Sequence, residues 1–233
     1  MRIQKLIFLG ITIFVLKSCK EASTEKKADN SSVIVNPSKR DSLNNQQTIN
    51  YYRFKPDSIT GLQIKDFQID DCYQLSDRKI ITGYYQPLDG KIIFPDTEKD
   101  YGRRLLFLNN NNNDILFKSK GVGDTYLYEP YFFKNDRNGK TLVICQLAFE
   151  YFCGGNLFLI DNNNIKYIGN IDVESSDSET KMVDIVRISE KKDKMTISFN
   201  AKSLILEPGS KDLEVKNKNV IYVYDGKIFK LIK

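Results

Sequence analysis

The chain has 233 residues, a formal net charge of +5 and neither histidine nor tryptophan. The absence of histidine excludes a Ser-His-Asp or Cys-His catalytic system, a histidine general base near neutral pH, and His-ligated zinc or haem sites. The catalytic chemistry that is left is that of carboxylate pairs, lysine, tyrosine, or a hard metal ion held by oxygen ligands.

The first 18 residues have the pattern of a targeting segment. Arg2 and Lys5 precede an apolar run of 11 residues from Leu6 to Leu16. That run makes about 16 Å of helix, which is too short for the roughly 30 Å hydrocarbon core of a membrane. It ends in Leu16-Lys17-Ser18-Cys19, with a small serine directly before the cysteine. We therefore interpret residues 1–18 as a signal peptide and not as a spanning helix.

The segment Leu16-Lys17-Ser18-Cys19 resembles the lipobox of the bacterial lipoprotein class, with Lys17 in place of the usual small or apolar residue. The resemblance implies that Cys19 is the lipidation site, that it carries acyl chains such as palmitate, and that it begins the mature chain. Because Lys20 and not Asp follows the cysteine, the resemblance also implies release to the outer membrane, where the protein would face the periplasm or the cell surface. The expected first partner is then the membrane, through the lipid anchor.

Residues 19–50 are predicted to be the acylated cysteine followed by a disordered tether. Ser, Asn, Gln, Lys and Glu dominate this stretch, and Val33-Ile34-Val35 is its one apolar run, so the segment cannot bury enough surface to fold. A flexible chain of this length spans about 30 Å on average. Without residues 1–18 the chain keeps 32 basic against 30 acidic residues, and the two signs alternate, so no nucleic-acid partner is expected.

Residues 51–233 are predicted to form one all-β domain of antiparallel hairpins. The clearest hairpin joins Val220–Tyr224 to Lys227–Ile232 through Asp225-Gly226, a dipeptide suited to a two-residue type I′ turn. That turn would place Tyr222 opposite Phe229. Other hairpins are predicted on the same grounds: Tyr84–Leu88 with Lys91–Phe94, Leu105–Leu108 with Ile115–Lys118, Tyr126–Phe133 with Thr141–Phe149, Leu157–Ile160 with Ile165–Ile168, and Val183–Ile188 with Lys194–Phe199.

The meander of hairpins favours a sandwich or a barrel-like sheet. Hairpin turns recur loosely, which makes an incomplete β-propeller-like stack the alternative, although no residue motif repeats. No segment keeps apolar residues at helical spacing over three turns. Cys72, Cys145 and Cys153 allow at most one disulfide, and we interpret them first as small buried side chains.

Clusters of polar residues are explained by turn chemistry. The Asn109–Asp114 run and Asp136-Arg137-Asn138-Gly139 offer oxygen ligands of the kind that calcium uses, but Asn and Gly accumulate in tight turns because they tolerate left-handed backbone angles. We therefore predict neither a metal site nor a cofactor. Asp70 and Asp71 are adjacent, so on a strand they would point to opposite faces and would not form a glycosidase pair.

The candidate binding surface lies at the end of the strand through Cys145. Alternation places Cys145 and Tyr151 on an apolar face and Gln146 and Glu150 on the opposite, more polar face. The surface would comprise Glu150 and Tyr151 with a tight glycine corner nearby, where a backbone could approach a ligand, formed by Gly154 and Gly155.

The sequence predicts a lipid-anchored cell-envelope protein, most simply a binding or interaction module whose partner is an envelope protein or a glycan. One alternative is a carboxylate-dependent enzyme that acts on envelope polysaccharide, and another is a protein inhibitor or immunity factor. The sequence leaves open whether the chain is an enzyme. It favours a protein that is not one, because the catalytic residue is unknown and the usual catalytic residue types are missing. An enzyme would bring two acids from different strands into one cleft, and a binder would expose an aromatic patch.

Overall fold

The computed structural model describes residues 47–86, 91, 95–135, 137–150, 152–173, 180–200, 204–206, 214–216 and 220–232. The chain begins with three short strands, β1 (Ile49–Asn50), β2 (Tyr52–Phe54) and β3 (Asp57–Ser58). The next four strands are β4 (Phe67–Leu75), β5 (Arg78–Tyr85), β6 (Arg104–Asn109) and β7 (Ile115–Lys118). They are followed by β8 (Leu127–Lys134), β9 (Thr141–Ala148), β10 (Phe152–Asp161) and β11 (Asn164–Ile171).

One turn of helix, α1 (Met182–Ile185), precedes the last strands. These are β12 (Val186–Lys191), β13 (Lys194–Phe199), β14 (Leu204–Leu206), β15 (Glu214–Lys216), β16 (Ile221–Tyr224) and β17 (Phe229–Ile232). The prediction of an all-β chain is confirmed. The first strand begins at Ile49, two residues before the predicted domain start at Tyr51.

The described strands form three antiparallel sheets of five strands and one separate strand pair, and none of the sheets closes into a barrel. Sheet I has the order β3-β4-β5-β6-β7, sheet II the order β2-β8-β9-β10-β11, and sheet III the order β1-β12-β13-β16-β17. The separate pair is β14 with β15. Sheets I and II are thus meanders of consecutive hairpins to which one of the first three strands is added. Sheet III is built in the same way, except that β14 and β15 lie in the chain between the paired strands β13 and β16. Of the predicted alternatives, the sandwich is the one that this arrangement fits.

Two hydrophobic cores lie on opposite faces of sheet II. One contains Leu142, Ile144 and Leu157 of sheet II together with Ile188 and Ile197 of sheet III. The other contains Val143, Cys145 and Phe158 of sheet II together with Ile80 and Phe107 of sheet I. Sheet II is therefore the middle layer, and a third, smaller cluster covers the other face of sheet I.

Strand β9 is buried along its whole length because it is the central strand of the middle layer. This corrects the prediction that the face of Gln146 is the more polar one. The Gln146 side chain is fully buried, donates to the carbonyls of Leu147 and Gly154 at 3.0 and 2.9 Å, and accepts from the backbone N–H of Val183 at 3.2 Å. With these bonds the amide is accommodated inside the core.

The predicted hairpins β6–β7, β8–β9 and β10–β11 are confirmed. The hairpin β12–β13 is also present, but the residues before Val186 form α1, with Met182, Val183 and Ile185 buried against the core. The sequence analysis missed the hairpin β4–β5, which turns at Ser76 and Asp77. The predicted hairpin of residues 84–94 falls largely outside the described residues, whereas Tyr84 and Tyr85 lie at the end of β5.

The C-terminal hairpin is present with a different register. Tyr224 and not Tyr222 faces Phe229, so the loop has four residues, 225–228, in place of the predicted two. The Asp225 carboxylate accepts hydrogen bonds from the backbone N–H groups of Lys227 and Ile228 at 3.0 and 2.8 Å, which stabilises the wider turn. A shift of two residues keeps each side chain on its predicted face, and Tyr222 and Tyr224 pack in the core.

Candidate functional site

A cavity of about 420 Å³ opens where β5 ends, between the loops that lead into β6 and β8. We call it the tyrosine pocket, and its volume lies within the range of small-molecule sites. Among the described residues, four tyrosines line it, together with two carboxylates, one arginine and three smaller residues: Tyr84, Tyr85, Tyr101, Tyr126, Asp96, Asp124, Arg103, Gly102, Val122 and Thr125.

The floor of the pocket is built around Arg104, whose side chain is fully buried. Its guanidinium lies 2.5 Å from the Asp96 carboxylate and 3.4 Å from that of Asp100. Asp100 in turn accepts a hydrogen bond from the backbone N–H of Gly121 at 2.7 Å. One buried cation therefore holds together the two loops that line the pocket. Burial raises the pKa of Asp96, and the charge of Arg104 opposes that rise.

Close packing of glycines brings the two loops together. Gly102 has a φ of +94°, and a Cβ atom there would lie 2.4 Å from the carbonyl oxygen of Val122. A Cβ atom on Gly123 would lie 2.6 Å from the ring of Tyr101. Because any larger residue would push the loops apart, these glycines fix the distance at which Tyr101 packs beside the Val122–Gly123 backbone.

The charged groups at the wall of the pocket are largely paired. The Nε of Arg103 donates to the Asp70 carboxylate at 2.8 Å, its Nη1 donates to the carbonyl oxygen of Thr125, and its guanidinium lies 5.1 Å from the ring centroid of Tyr84. Asp124 is exposed and accepts a long hydrogen bond of 3.4 Å from the Tyr101 hydroxyl. The wall therefore presents aromatic faces, phenol hydroxyls and one accessible carboxylate.

A second cluster lies on β8, on the face of sheet II that carries Glu129 and Tyr131. The Lys181 ammonium lies 2.7 Å from the Glu129 carboxylate and 2.8 Å from the Tyr131 hydroxyl, and that hydroxyl donates to Glu129 at 2.5 Å. Burial by itself would raise the pKa of Glu129, but the hydrogen bonds from Lys181 and Tyr131 outweigh it and lower the pKa. The same contacts raise the pKa of Lys181 to about 12, so both groups are charged at neutral pH.

The pKa of Asp71 in β4 is shifted in the opposite direction, upward. Burial raises its pKa first, and the negative charge of Glu129 raises it further. The Thr82 hydroxyl donates to its carboxylate at 3.3 Å. Two carboxylates from different sheets thus interact electrostatically, one with a raised and one with a lowered pKa, a division that acid–base pairs show. Asp70 and Asp71 accept hydrogen bonds from different donors, Arg103 and Thr82, and the negative charge of Asp70 adds to the rise in the pKa of Asp71.

The structure describes three of the four residues predicted for the binding surface, Glu150, Gly154 and Gly155. Glu150 is exposed, and Tyr151, like Cys19, lies outside the described part of the chain. Gly154 and Gly155 lie within β10, where a β-bulge takes the place of the predicted corner. Cβ atoms on them would meet neighbouring strands at 2.0 and 2.9 Å, so the space beside these glycines is filled by protein.

Other predicted features can also be placed. Cys72 and Cys145 are free, buried thiols, and Cys153 is partly buried. Within the described ranges, no three Cys, Asp or Glu residues are grouped so that they could hold a metal ion. No described helix has the length and apolar character needed to cross a membrane.

The sequence analysis missed the tyrosine pocket. Its signal was the combination of Asp100-Tyr101-Gly102-Arg103-Arg104 with Gly121-Val122-Gly123-Asp124. Each stretch is uninformative alone, because the pairing of the two loops is a property of the folded sheet.

Comparison of the chain with family models, with curated proteins and with solved structures gives no match. The function is therefore inferred from the pocket and from the sequence.

Proposed function

We propose that the chain is a lipid-anchored protein of the cell envelope that works by binding, and that the tyrosine pocket is its ligand site. The observation that carries the proposal is the cavity of about 420 Å³ lined by four tyrosines. Tyrosine supplies a large rigid contact surface and a polar hydroxyl, which is why it is enriched where proteins bind ligands and partners. The lipobox-like segment ending at Cys19 supports the anchor.

Binding is favoured over catalysis by the state of the polar groups around the pocket. Arg103 and Arg104 are each bonded to carboxylates, and the sequence contains no histidine. Groups fixed in this way position a ligand well. Arginines held in this way supply neither a general base nor a nucleophile.

An enzyme that acts on envelope polysaccharide is the second candidate, because Asp71 and Glu129 interact across two sheets with pKa values displaced in opposite directions. In such an enzyme Asp71 would serve as the acid and Glu129 as the ionised partner. It is second because Glu129 is already held by Lys181 at 2.7 Å.

The binding proposal is tested by sedimentation with envelope fragments of the bacterium that encodes the chain. The probe protein is the chain from residue 19 with Cys19→Ala, so that no lipid contributes to binding. We expect this protein to sediment with the fragments. Tyr126→Ala should weaken its binding about tenfold, the scale of a binding hot spot. Tyr126 is 54% exposed, and Tyr167→Ala is the matched control because Tyr167 is 52% exposed and lies on β11.

Two outcomes would contradict the binding proposal. One is that the protein with the unchanged pocket does not sediment with the fragments, and the other is that Tyr126→Ala and Tyr167→Ala weaken its binding equally. Release of soluble sugar during the incubation, abolished by Asp71→Asn, would favour the enzyme instead.

The anchor is tested in cells with an alkyne-labelled palmitate analogue. We expect the wild-type chain to be labelled and to sediment with membranes. Cys19→Ala should be unlabelled and soluble, because stable anchoring requires the acyl chains. Equal labelling of the two proteins would end the lipoprotein interpretation.

A further inference from the structure

The described lining of the tyrosine pocket is mainly aromatic and hydroxylated. Among the lining residues that the structure describes, Val122 is the one aliphatic side chain. A pocket for an apolar peptide side chain would be lined by aliphatic and aromatic groups with few hydroxyls. A sugar ring, in contrast, has an apolar face of C–H groups that packs on an aromatic ring and an edge of hydroxyls that both donate and accept. Phenol side chains match both surfaces, because the ring is apolar and the hydroxyl donates and accepts.

The charges of the pocket argue against an anionic ligand. Each lining or floor arginine is compensated by a carboxylate, Arg103 by Asp70 at 2.8 Å and Arg104 by Asp96 at 2.5 Å. An anion site would leave a guanidinium unpaired to receive it. Asp124 is exposed and, within the described part of the chain, forms no salt bridge, so it would repel an anion and would accept hydrogen bonds from hydroxyl groups.

Donors for hydroxyl oxygens are also present. The bonds of Arg103 within the described ranges involve Nε and Nη1, which leaves the donors of Nη2 for a ligand. The phenol of Tyr126, more than half exposed, can approach a bound molecule from the rim. These groups form a set of donors and acceptors around aromatic faces.

The pocket is also rigid in construction. Arg104 and the close approach of Gly102 to Val122 fix the two loops before any ligand arrives. Preorganised groups bind more tightly because fewer side chains and loops must be ordered on binding. Weak individual contacts such as those to sugar hydroxyls benefit most from this arrangement.

We propose that the tyrosine pocket binds an uncharged, hydroxyl-rich sugar unit of an envelope glycan. This rests on the proposed function and adds the ligand class. Tyr126 and Tyr101 supply aromatic contact, Asp124 accepts hydrogen bonds from sugar hydroxyls, and Arg103 donates to sugar oxygens.

The test uses the chain from residue 19 with Cys19→Ala and three preparations of the same envelope fragments. One is untreated, one is digested with a protease, and one is oxidised with periodate, which breaks the carbon–carbon bond between adjacent hydroxyl-bearing sugar carbons and leaves carbonyl groups. We expect periodate to reduce the bound fraction at least tenfold and the protease to leave it unchanged. A neutral monosaccharide mixture at millimolar concentration should compete. Binding should change less than twofold between 50 and 500 mM salt, because no ionic contact to the ligand is involved.

Single substitutions test whether the ligand binds in the tyrosine pocket. Asp124→Asn should weaken binding several-fold, since the amide loses one acceptor, and the asparagine tolerates the positive φ of 54° at this position. Tyr167→Ala should bind as the wild type does.

Different results would overturn the sugar assignment and the binding function. Binding that survives periodate and is lost after protease treatment would overturn the sugar assignment and keep the binding function, with a protein as ligand. Binding that falls steeply with salt would also overturn it, in favour of a charged ligand. No binding to untreated fragments would overturn the binding function itself.

Discussion

Glu190 is a carboxylate with almost no exposure to solvent, 5% for its side chain, and it is held by three donors. The Lys140 ammonium lies 2.8 Å from Oε1, and the Tyr51 hydroxyl and the Asn138 amide donate to Oε2 at 2.6 and 3.1 Å. The three donors come from residues before β2 and in the β8–β9 turn, whereas Glu190 belongs to β12. This cluster therefore connects sheets II and III through a buried charge.

The pKa of Glu190 is set by opposing effects. Burial raises it, but the hydrogen bonds from Lys140 and Tyr51 outweigh burial, so the pKa lies below the usual 4.5. A carboxyl group whose pKa is lower in the folded state stabilises the fold above its unfolded pKa. That stabilisation is lost as the pH falls through the folded pKa.

We predict that Glu190→Gln lowers the free energy of unfolding by about 2 kcal/mol at pH 7, because the charge-assisted bonds to Lys140 and Tyr51 are lost. The difference from the wild type should shrink as the pH falls below about 4.5, where Glu190 itself becomes protonated. Urea unfolding followed by circular dichroism measures this, since the chain has no tryptophan to report by fluorescence.

The matched control for this prediction is Asp193→Asn in the exposed turn of the same hairpin. Its φ of 58° suits asparagine as well as aspartate, and the change should stay within about 0.5 kcal/mol. A Glu190→Gln deficit that grew toward acid pH would contradict the account of the cluster.

At the scale of elements, the ten residues from Ile49 to Ser58 link all three sheets. Strand β1 pairs with β12 of sheet III, β2 with β8 of sheet II, and β3 with β4 of sheet I. This segment therefore adds one short edge strand to each of the three sheets. Nothing in its short sequence indicates the pairings of β1 and β2, because their partner strands lie far away along the chain, whereas β3 pairs with β4, the next strand.

The hairpins themselves could largely be predicted from the sequence. Asn138-Gly139 and the Asn162-Asn163-Asn164 run are local turn signals between apolar strands, and the strands pair across both. Local rules failed where side chains compete with the backbone. Asp225 captures two N–H groups and widens the C-terminal loop, and the helical turn α1 forms where Val183 bonds to the buried Gln146.

Burial on both faces of β9 shows a different limit of the sequence pattern. An apolar run with one glutamine predicts one core face and one polar face. In the folded chain Gln146 is fully buried because sheets I and III cover sheet II from both sides. The number of layers is decided by how the sheets stack, which no single strand encodes.

At the scale of the whole molecule, the described lining of the tyrosine pocket comes from three separate stretches. Tyr84 and Tyr85 end one strand, Asp96–Arg103 form one loop, and Val122–Tyr126 form another. They meet because Arg104 is buried between the loops, an arrangement that depends on the packing of sheet I. The sequence analysis therefore placed Tyr126 at the start of a predicted strand and missed the site to which it belongs.

The central claim is that this pocket receives the ligand, and nuclear magnetic resonance of the chain with carbon-13-labelled tyrosine tests it most directly. The chain has 13 tyrosines, and single Tyr→Phe variants assign their signals. On addition of soluble fragments of the envelope, we expect the ring signals of Tyr84, Tyr101 and Tyr126 to shift and that of Tyr167 to stay unchanged. Shifts confined to tyrosines outside the pocket, or no shift of any tyrosine, would contradict the account.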